Sequence, residues 1–193
     1  TTVSITIPGI PIEQGSTLGL VVTLLDYSSS PLTGADVVIT ITWSNGTPLA
    51  TYDRVTDGSG QCTLACTFND VGDFIIRAHY GGYGFNASAS DLVTQRVFTT
   101  PDIQLLHNPS CIVGESIVFR VALVDSLGNY IVGRTILLSI EQDGVGVFEA
   151  QVQSTKGLST ITWYPSQGGL VEIMILHVGN SYYLTNSTTA SLS

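Results

Sequence analysis

The run Val37-Val38-Ile39-Thr40-Ile41-Thr42-Trp43 alternates apolar and polar residues with a period of two and ends in Ser44-Asn45-Gly46. Such alternation hides one face of a strand, so Val37, Ile39, Ile41 and Trp43 point one way while Thr40 and Thr42 face outward. Ile136-Leu137-Leu138-Ser139-Ile140 repeats the pattern with Ser139 outward. Turn pairs recur between runs of this kind: Pro8-Gly9, Asn45-Gly46, Asp57-Gly58, Asn69-Asp70, Gly81-Gly82, Asp143-Gly144 and Gly168-Gly169. No apolar i, i+3, i+4 stripe marks a helix. About seven short strands in roughly 95 residues, each with one hidden face, specify two packed sheets around one core, with a closed barrel as the second option.

Working outward from this run, the second half of the chain lies in register over the first. Ile12-Glu13-Gln14-Gly15-Ser16 matches Cys111-Ile112-Val113-Gly114-Glu115, and Val21-Val22-Thr23-Leu24-Leu25-Asp26 matches Arg120-Val121-Ala122-Leu123-Val124-Asp125. Pro31-Leu32-Thr33-Gly34 then falls over Tyr130-Ile131-Val132-Gly133, and Val37, Ile39 and Ile41 over Ile136, Leu138 and Ile140. Thr56-Asp57-Gly58-Ser59-Gly60 corresponds to Ser154-Thr155-Lys156-Gly157, followed by Cys62, Leu64 and Cys66 over Ser159, Ile161 and Trp163. Each copy closes with a glycine, a strand, a histidine and a Tyr/Gly-rich turn: Gly72 to Phe85, then Gly169 to Tyr183. A repeat of about 97 residues sets two domains, 1–98 and 99–193. Phe98-Thr99-Thr100-Pro101 forms a short stiff joint, because proline cannot continue a sheet ladder.

The chain of 193 residues is 44% hydrophobic and only 11% charged, against roughly 25% charged in ordinary soluble proteins. Disorder driven by charge is excluded. Polarity is supplied instead by 23 Thr and 20 Ser, and one lysine, Lys156, serves the whole chain. The net charge of −9 repels phosphate backbones and anionic lipid, which argues against nucleic-acid or membrane-surface partners. The longest apolar-looking stretch, Leu18 to Leu25, is broken by Gly19 and Thr23 and is too short to span a bilayer. No basic, apolar leader opens the chain, so Thr1 reads as a processed mature end or the start of an excised segment. A surface this poor in ions implies a cover of glycan or neighbouring protein. Three sequons supply the first kind of cover: Asn45-Gly46-Thr47, Asn86-Ala87-Ser88 and Asn186-Ser187-Thr188.

Several features together resemble the tandem bacterial/archaeal-type immunoglobulin-like (Big-like) domains of surface proteins and adhesins. They are Gly15-Ser16 and Gly114-Glu115 before a strand, the Asp26-to-Gly34 and Asp125-to-Gly133 turns, and Thr56-Asp57-Gly58-Ser59-Gly60. The closing segments from Tyr80-Gly81-Gly82 to Ser90, and from His177-Val178-Gly179 to Thr189, complete the set. The resemblance implies an all-β chain of two tandem immunoglobulin-like antiparallel β-sandwiches, serving as spacer, stalk or surface-assembly subunit. The paired cysteines and core tryptophan of antibody domains are absent, and copy two replaces the Asp-Gly-Ser-Gly turn with Thr155-Lys156-Gly157.

Residues with chemical potential read mostly as structural. Cys62 and Cys66 lie on one strand face, roughly 13 Å apart at 3.3 Å per residue, too far for a disulfide and suited to buried thiols. Cys111 is the odd cysteine and the candidate intermolecular thiol. His79 and His177 occupy matching places and so share a structural job, while His107 stands alone beside Asn108-Pro109. No metal-binding or nucleophile-activating spacing accompanies them. Asp53/Asp57 and Asp70/Asp73 are acidic turn positions that fit no defined calcium loop. A Lys–Asn or Lys–Asp isopeptide cross-link has no lysine in copy one and only a turn lysine in copy two. Trp43, Tyr80, Tyr83, Phe85, Tyr182 and Tyr183 either cap the sandwich or stack on sugar or a neighbour.

These observations set the expectation of a non-enzymatic extracellular or cell-surface protein with no catalytic, cofactor or metal site. It is a rod-like two-domain subunit of a filament, surface layer or adhesin stalk, assembling through sheet edges or end-to-end contacts. Its partners are copies of itself or neighbouring immunoglobulin-like domains, with glycans in addition, and neither nucleic acid nor direct membrane insertion is expected. The candidate strand-exchange segment is Thr1, Thr2, Val3, Ser4, Ile5, Thr6 and Ile7, which reads equally as the first strand of its own domain. A carbohydrate- or protein-binding adhesin module, or an accessory module of a secreted enzyme, is the alternative.

Overall fold

The computed structural model describes residues 1–106 and 112–192. The chain divides into two units, Thr1–Phe98 and Thr99–Ser193. The described residues form fifteen strands and no helix. Unit 1 contains β1 (Thr2–Thr6), β2 (Ile12–Glu13), β3 (Thr17–Leu25), β4 (Asp36–Trp43), β5 (Pro48–Val55), β6 (Gln61–Thr67), β7 (Gly72–Tyr80) and β8 (Ala89–Phe98). Unit 2 contains β9 (Asp102–Leu105), β10 (Ile117–Val124), β11 (Thr135–Gln142), β12 (Val145–Gln153), β13 (Leu158–Trp163), β14 (Val171–His177) and β15 (Asn186–Leu192).

In unit 1 the sheet β1-β3-β6 faces the sheet β2-β8-β7-β4-β5; in unit 2 β9-β10-β13 faces β12-β11-β14-β15. The strand order is the same in both apart from β2, which runs parallel to β8 with Ile12 beside Val97 and Glu13 beside Phe98. All other named strand pairs among the described residues are antiparallel. Each unit is thus an immunoglobulin-like two-sheet sandwich.

The inner faces follow the alternation. Leu18, Leu20, Val22 and Leu24 of β3, Val37, Ile39 and Ile41 of β4, and Phe74, Ile76 and Ala78 of β7 meet in the core of unit 1. Phe119, Val121 and Leu123 of β10 meet Ile136, Leu138 and Ile140 of β11 and Ile173 and Ile175 of β14 in a second, separate core. Burying apolar surface of this kind is the dominant favourable term in folding, worth about 1.5–3 kcal/mol for each large side chain.

Neutral hydroxyls hold the crossing between sheets. Thr56, almost fully buried, donates its Oγ1 hydrogen to Leu32 O at 2.5 Å and accepts from Ala35 N at 2.9 Å. Ser154 repeats this in unit 2, donating to Ile131 O at 2.9 Å and accepting from Arg134 N at 3.1 Å. The chain leaves one sheet for the other just here, so its peptide groups lack ladder partners and a side chain must supply them.

A single turn design recurs three times. Asp26, Asp57 and Asp125 each accept two backbone N–H bonds on Oδ1: from Ser28 and Ser30, from Ser59 and Gln61, and from Leu127 and Asn129. The fourth residue of each turn is left-handed: Ser29 (φ 62°), Gly60 (φ 71°) and Gly128 (φ 83°). The corresponding turn before β13 is different. Thr155 and Leu158 exchange both backbone bonds around Lys156 (φ 51°) and Gly157 (φ 80°), a two-residue type I′ hairpin.

Candidate functional site

The three sequon asparagines sit in different settings. Asn45 is exposed in the β4–β5 turn, its Oδ1 accepting Thr47 N at 2.9 Å and its amide nitrogen open to solvent. Asn86 is half-buried in the β7–β8 loop. Asn186 opens β15 with Nδ2, the atom a glycan would occupy, donating to Pro101 O at 2.7 Å. The similar Asn-Ser/Thr stretches after Tyr80 and His177 are not equivalent in space. Asn186 pairs with His177 and therefore takes the place of Ala89, which pairs with Tyr80.

The expected partnership of His79 and His177 is corrected by the same register. Val37 pairs with Tyr80 and its counterpart Ile136 pairs with His177, so His177 corresponds to Tyr80, while His79 lies on the opposite face. A one-residue offset sends a side chain to the other side of a sheet. His177 is buried with Nδ1 3.1 Å from Thr135 O, whereas His79 is exposed. The parity of β7, with Phe74, Ile76, Ala78 and Tyr80 inward, carries that signal in the sequence itself.

Thr1–Ile7 is engaged within its own unit. Val3 and Ile5 reach the core, Thr2 to Thr6 pair with Leu25 to Val21 of β3, and Ile5 N donates to Asp91 Oδ2 of β8 at 2.8 Å. Cys111 and His107 lie outside the described residues. Cys62 and Cys66 are free thiols on the inner face of β6, and burial pushes both above the ordinary thiol range. Among the acidic candidates, Asp73 forms a two-pronged pair with Arg96 at 2.9 and 3.3 Å. Asp57 is held below the usual carboxylate range by the N–H groups of Gln61 and Ser59. Lys156 is exposed in its turn.

The aromatic candidates divide. Tyr80 is buried; Trp43 is half-buried against Phe74, with ring centres 4.5 Å apart; Tyr183 lies under the Arg134 guanidinium, 4.2 Å from the ring centre. Tyr83 and Phe85 are instead 86% and 106% exposed. They flank Gly84 (φ 61°) in a tight hairpin in which Tyr83 and Asn86 exchange both backbone bonds at 3.1 Å. This hairpin overhangs an open cleft of about 500 Å³ at one end of unit 1, lined by Leu32, Gly34, Asp36, Gly81, Tyr83 and Asn86 among others. Sequence reasoning found the rings but not Asp36, which opens β4 some fifty residues earlier in the chain and carries no motif.

A second concavity, about 430 Å³, lies on the outward face of unit 2. There Leu137 stands opposite Leu176, and Ser139 opposite Met174, which is 48% exposed.

No family model matches the chain, and no curated protein matches it in sequence. Its fold is nevertheless shared with solved structures. Invasin, a bacterial integrin-binding protein, is 18% identical with a TM-score of 0.58, over 100% of this chain and 39% of that one. A tetra-tandem repeat in the extending region of a large adhesion protein is 15% identical with a TM-score of 0.59, over 100% of this chain and 48% of that one. A two-domain fibronectin type III segment of chicken tenascin is 13% identical with a TM-score of 0.55, covering 97% of each chain. The chain therefore spans less than half the length of the invasin and large adhesion protein chains. At these identities the likeness is one of fold: immunoglobulin-like and fibronectin-type modules, including those of adhesins.

Proposed function

We propose that the chain is an extracellular structural module, two tandem sandwiches in a cell-surface stalk, filament or surface layer, performing no catalysis. The carrying observation is the tandem repetition itself: two sandwiches, each with its own core and nearly the same strand order, alike in fold to repeated units of an adhesion protein. No helix among the described residues is long and apolar enough to cross a membrane. The hydroxyl-rich surface with outward Leu137, Met174 and Leu176 favours contact with sister molecules or neighbouring immunoglobulin-like domains. Strand exchange through Thr1–Ile7 would be a swap in which β1 leaves β3 for the same groove in a neighbour. Of the three sequons, Asn45 is the one best placed to carry a glycan.

Sedimentation over a wide concentration range, combined with electron microscopy of native material, tests this reading. Concentration-dependent assembly and repeating surface structures are expected. A chain that stays monomeric at high concentration and resides in the cytosol would overturn it.

A further inference from the structure

We propose that the open cleft at the end of unit 1 is a binding site for a neutral saccharide, a function beyond the structural role proposed above. The cleft exists because of two sequence differences between the repeats. Ala35 and Arg134 are equivalent, since their N–H groups donate to Thr56 Oγ1 and Ser154 Oγ respectively. Asn86 and Tyr183 are also equivalent, since Tyr83 N donates to Asn86 O in one loop and Asn180 N to Tyr183 O in the other. In unit 2 this corner is filled by the Arg134 guanidinium stacked on Tyr183, 4.2 Å from the ring centre. In unit 1 a methyl group and a short amide stand there instead, and a space of about 500 Å³ opens.

What lines that space suits a sugar. Tyr83 offers an exposed ring face for the C–H side of a pyranose. The Asp36 carboxylate and the Asn86 amide have no side-chain hydrogen-bond partner among the described residues, so both can bond vicinal hydroxyls. Gly34, Gly81 and Gly82 bare the backbone to close approach. The volume falls within the range of small-ligand sites, about 300–1,000 Å³. The net charge of −9 and the carboxylate in the cleft disfavour anionic sugars, which leaves uncharged ones.

The test is an amide-resolved NMR titration of the full, unglycosylated chain with cellobiose, lactose, maltose and chitobiose in turn. Shifts confined to Gly34, Gly81, Gly82 and Tyr83 are expected for at least one sugar. Tyr83→Ala and Asp36→Asn should each weaken that binding about tenfold. Ala35→Arg, which installs the side chain that fills the corner in unit 2, should abolish it. Unchanged amide shifts elsewhere in each variant show that the fold is retained. No shifts with any of the four sugars, or wild-type affinity retained in both Tyr83→Ala and Asp36→Asn, would overturn the proposal. So would a protein partner that engages Tyr83 and Phe85 while the sugars do not bind. Sedimentation of the same samples reads assembly independently, so failure here leaves the structural role standing, and the converse also holds.

Discussion

Ser29 occupies the left-handed position that Gly60 and Gly128 fill in the other two aspartate turns. A residue with a Cβ pays roughly 1–2 kcal/mol for that conformation, partly offset because glycine loses more freedom on folding. Ser29→Gly should therefore stabilise unit 1 by about 0.5–1 kcal/mol, read as a rise in the urea midpoint with unchanged slope. Asp57 contributes through its charge. Because its folded carboxyl titrates below the unfolded value, its stabilisation is complete above the ordinary carboxylate range and is lost as pH falls through the depressed folded value. Asp57→Asn keeps the Oδ1 acceptor but removes the charge. Its stability deficit relative to wild type should be largest near neutral pH and close as the solution is acidified. A deficit that grows with acidification would contradict the assignment.

Hairpins show what a local rule can and cannot reveal. The Lys156-Gly157 turn is type I′, and a Cβ placed on Gly157 would fall 2.6 Å from Tyr130 Cγ as well as in a left-handed conformation. Gly157→Ala should cost about 2 kcal/mol or more, whereas the neighbouring Lys156→Asn should be neutral or better, since asparagine favours this position; chemical denaturation separates the two. Both edge hairpins carry bulges, between Ile41 and Thr42 against β5 and between Ile140 and Glu141 against β12. Such kinks blunt edge pairing at the turn end of β5 and β12, while Ala50–Val55 and Phe148–Gln153 keep regular register. Strand identity was legible here because Val37, Ile39 and Ile41 alternate cleanly. Matching His79 with His177 needs an offset of 98 residues, whereas Cys62 over Ser159, Gly72 over Gly169 and Tyr80 over His177 all stand 97 apart, so the shared residue type hides a change of face.

At the scale of the molecule, the two cores share no residue, and each unit carries one tryptophan, Trp43 in β4 and Trp163 in β13. Phe119 is fully buried in unit 2. Phe119→Ala should cost that unit about 3–5 kcal/mol. In single-tryptophan versions made by Trp43→Phe or Trp163→Phe, the Trp163 signal should melt early while the Trp43 signal keeps its wild-type midpoint. A common shift of both would show one cooperative body instead.

The repeat, the period-two alternation and the turn residues determined by themselves that this chain is all-β and built of sandwiches, because those signals are local and alternation alone decides which face is hidden. The hydroxyl clamps of Thr56 and Ser154 were visible only as aligned positions, since their bonding depends on where the chain crosses between sheets. Which aromatic rings turn inward, whether an asparagine amide is free or tied to a carbonyl, and whether a corner stands open or filled were decided by tertiary structure alone. Each depends on residues distant in sequence, such as Ala35 and Asn86, meeting across a gap whose size the packing of the two sheets sets.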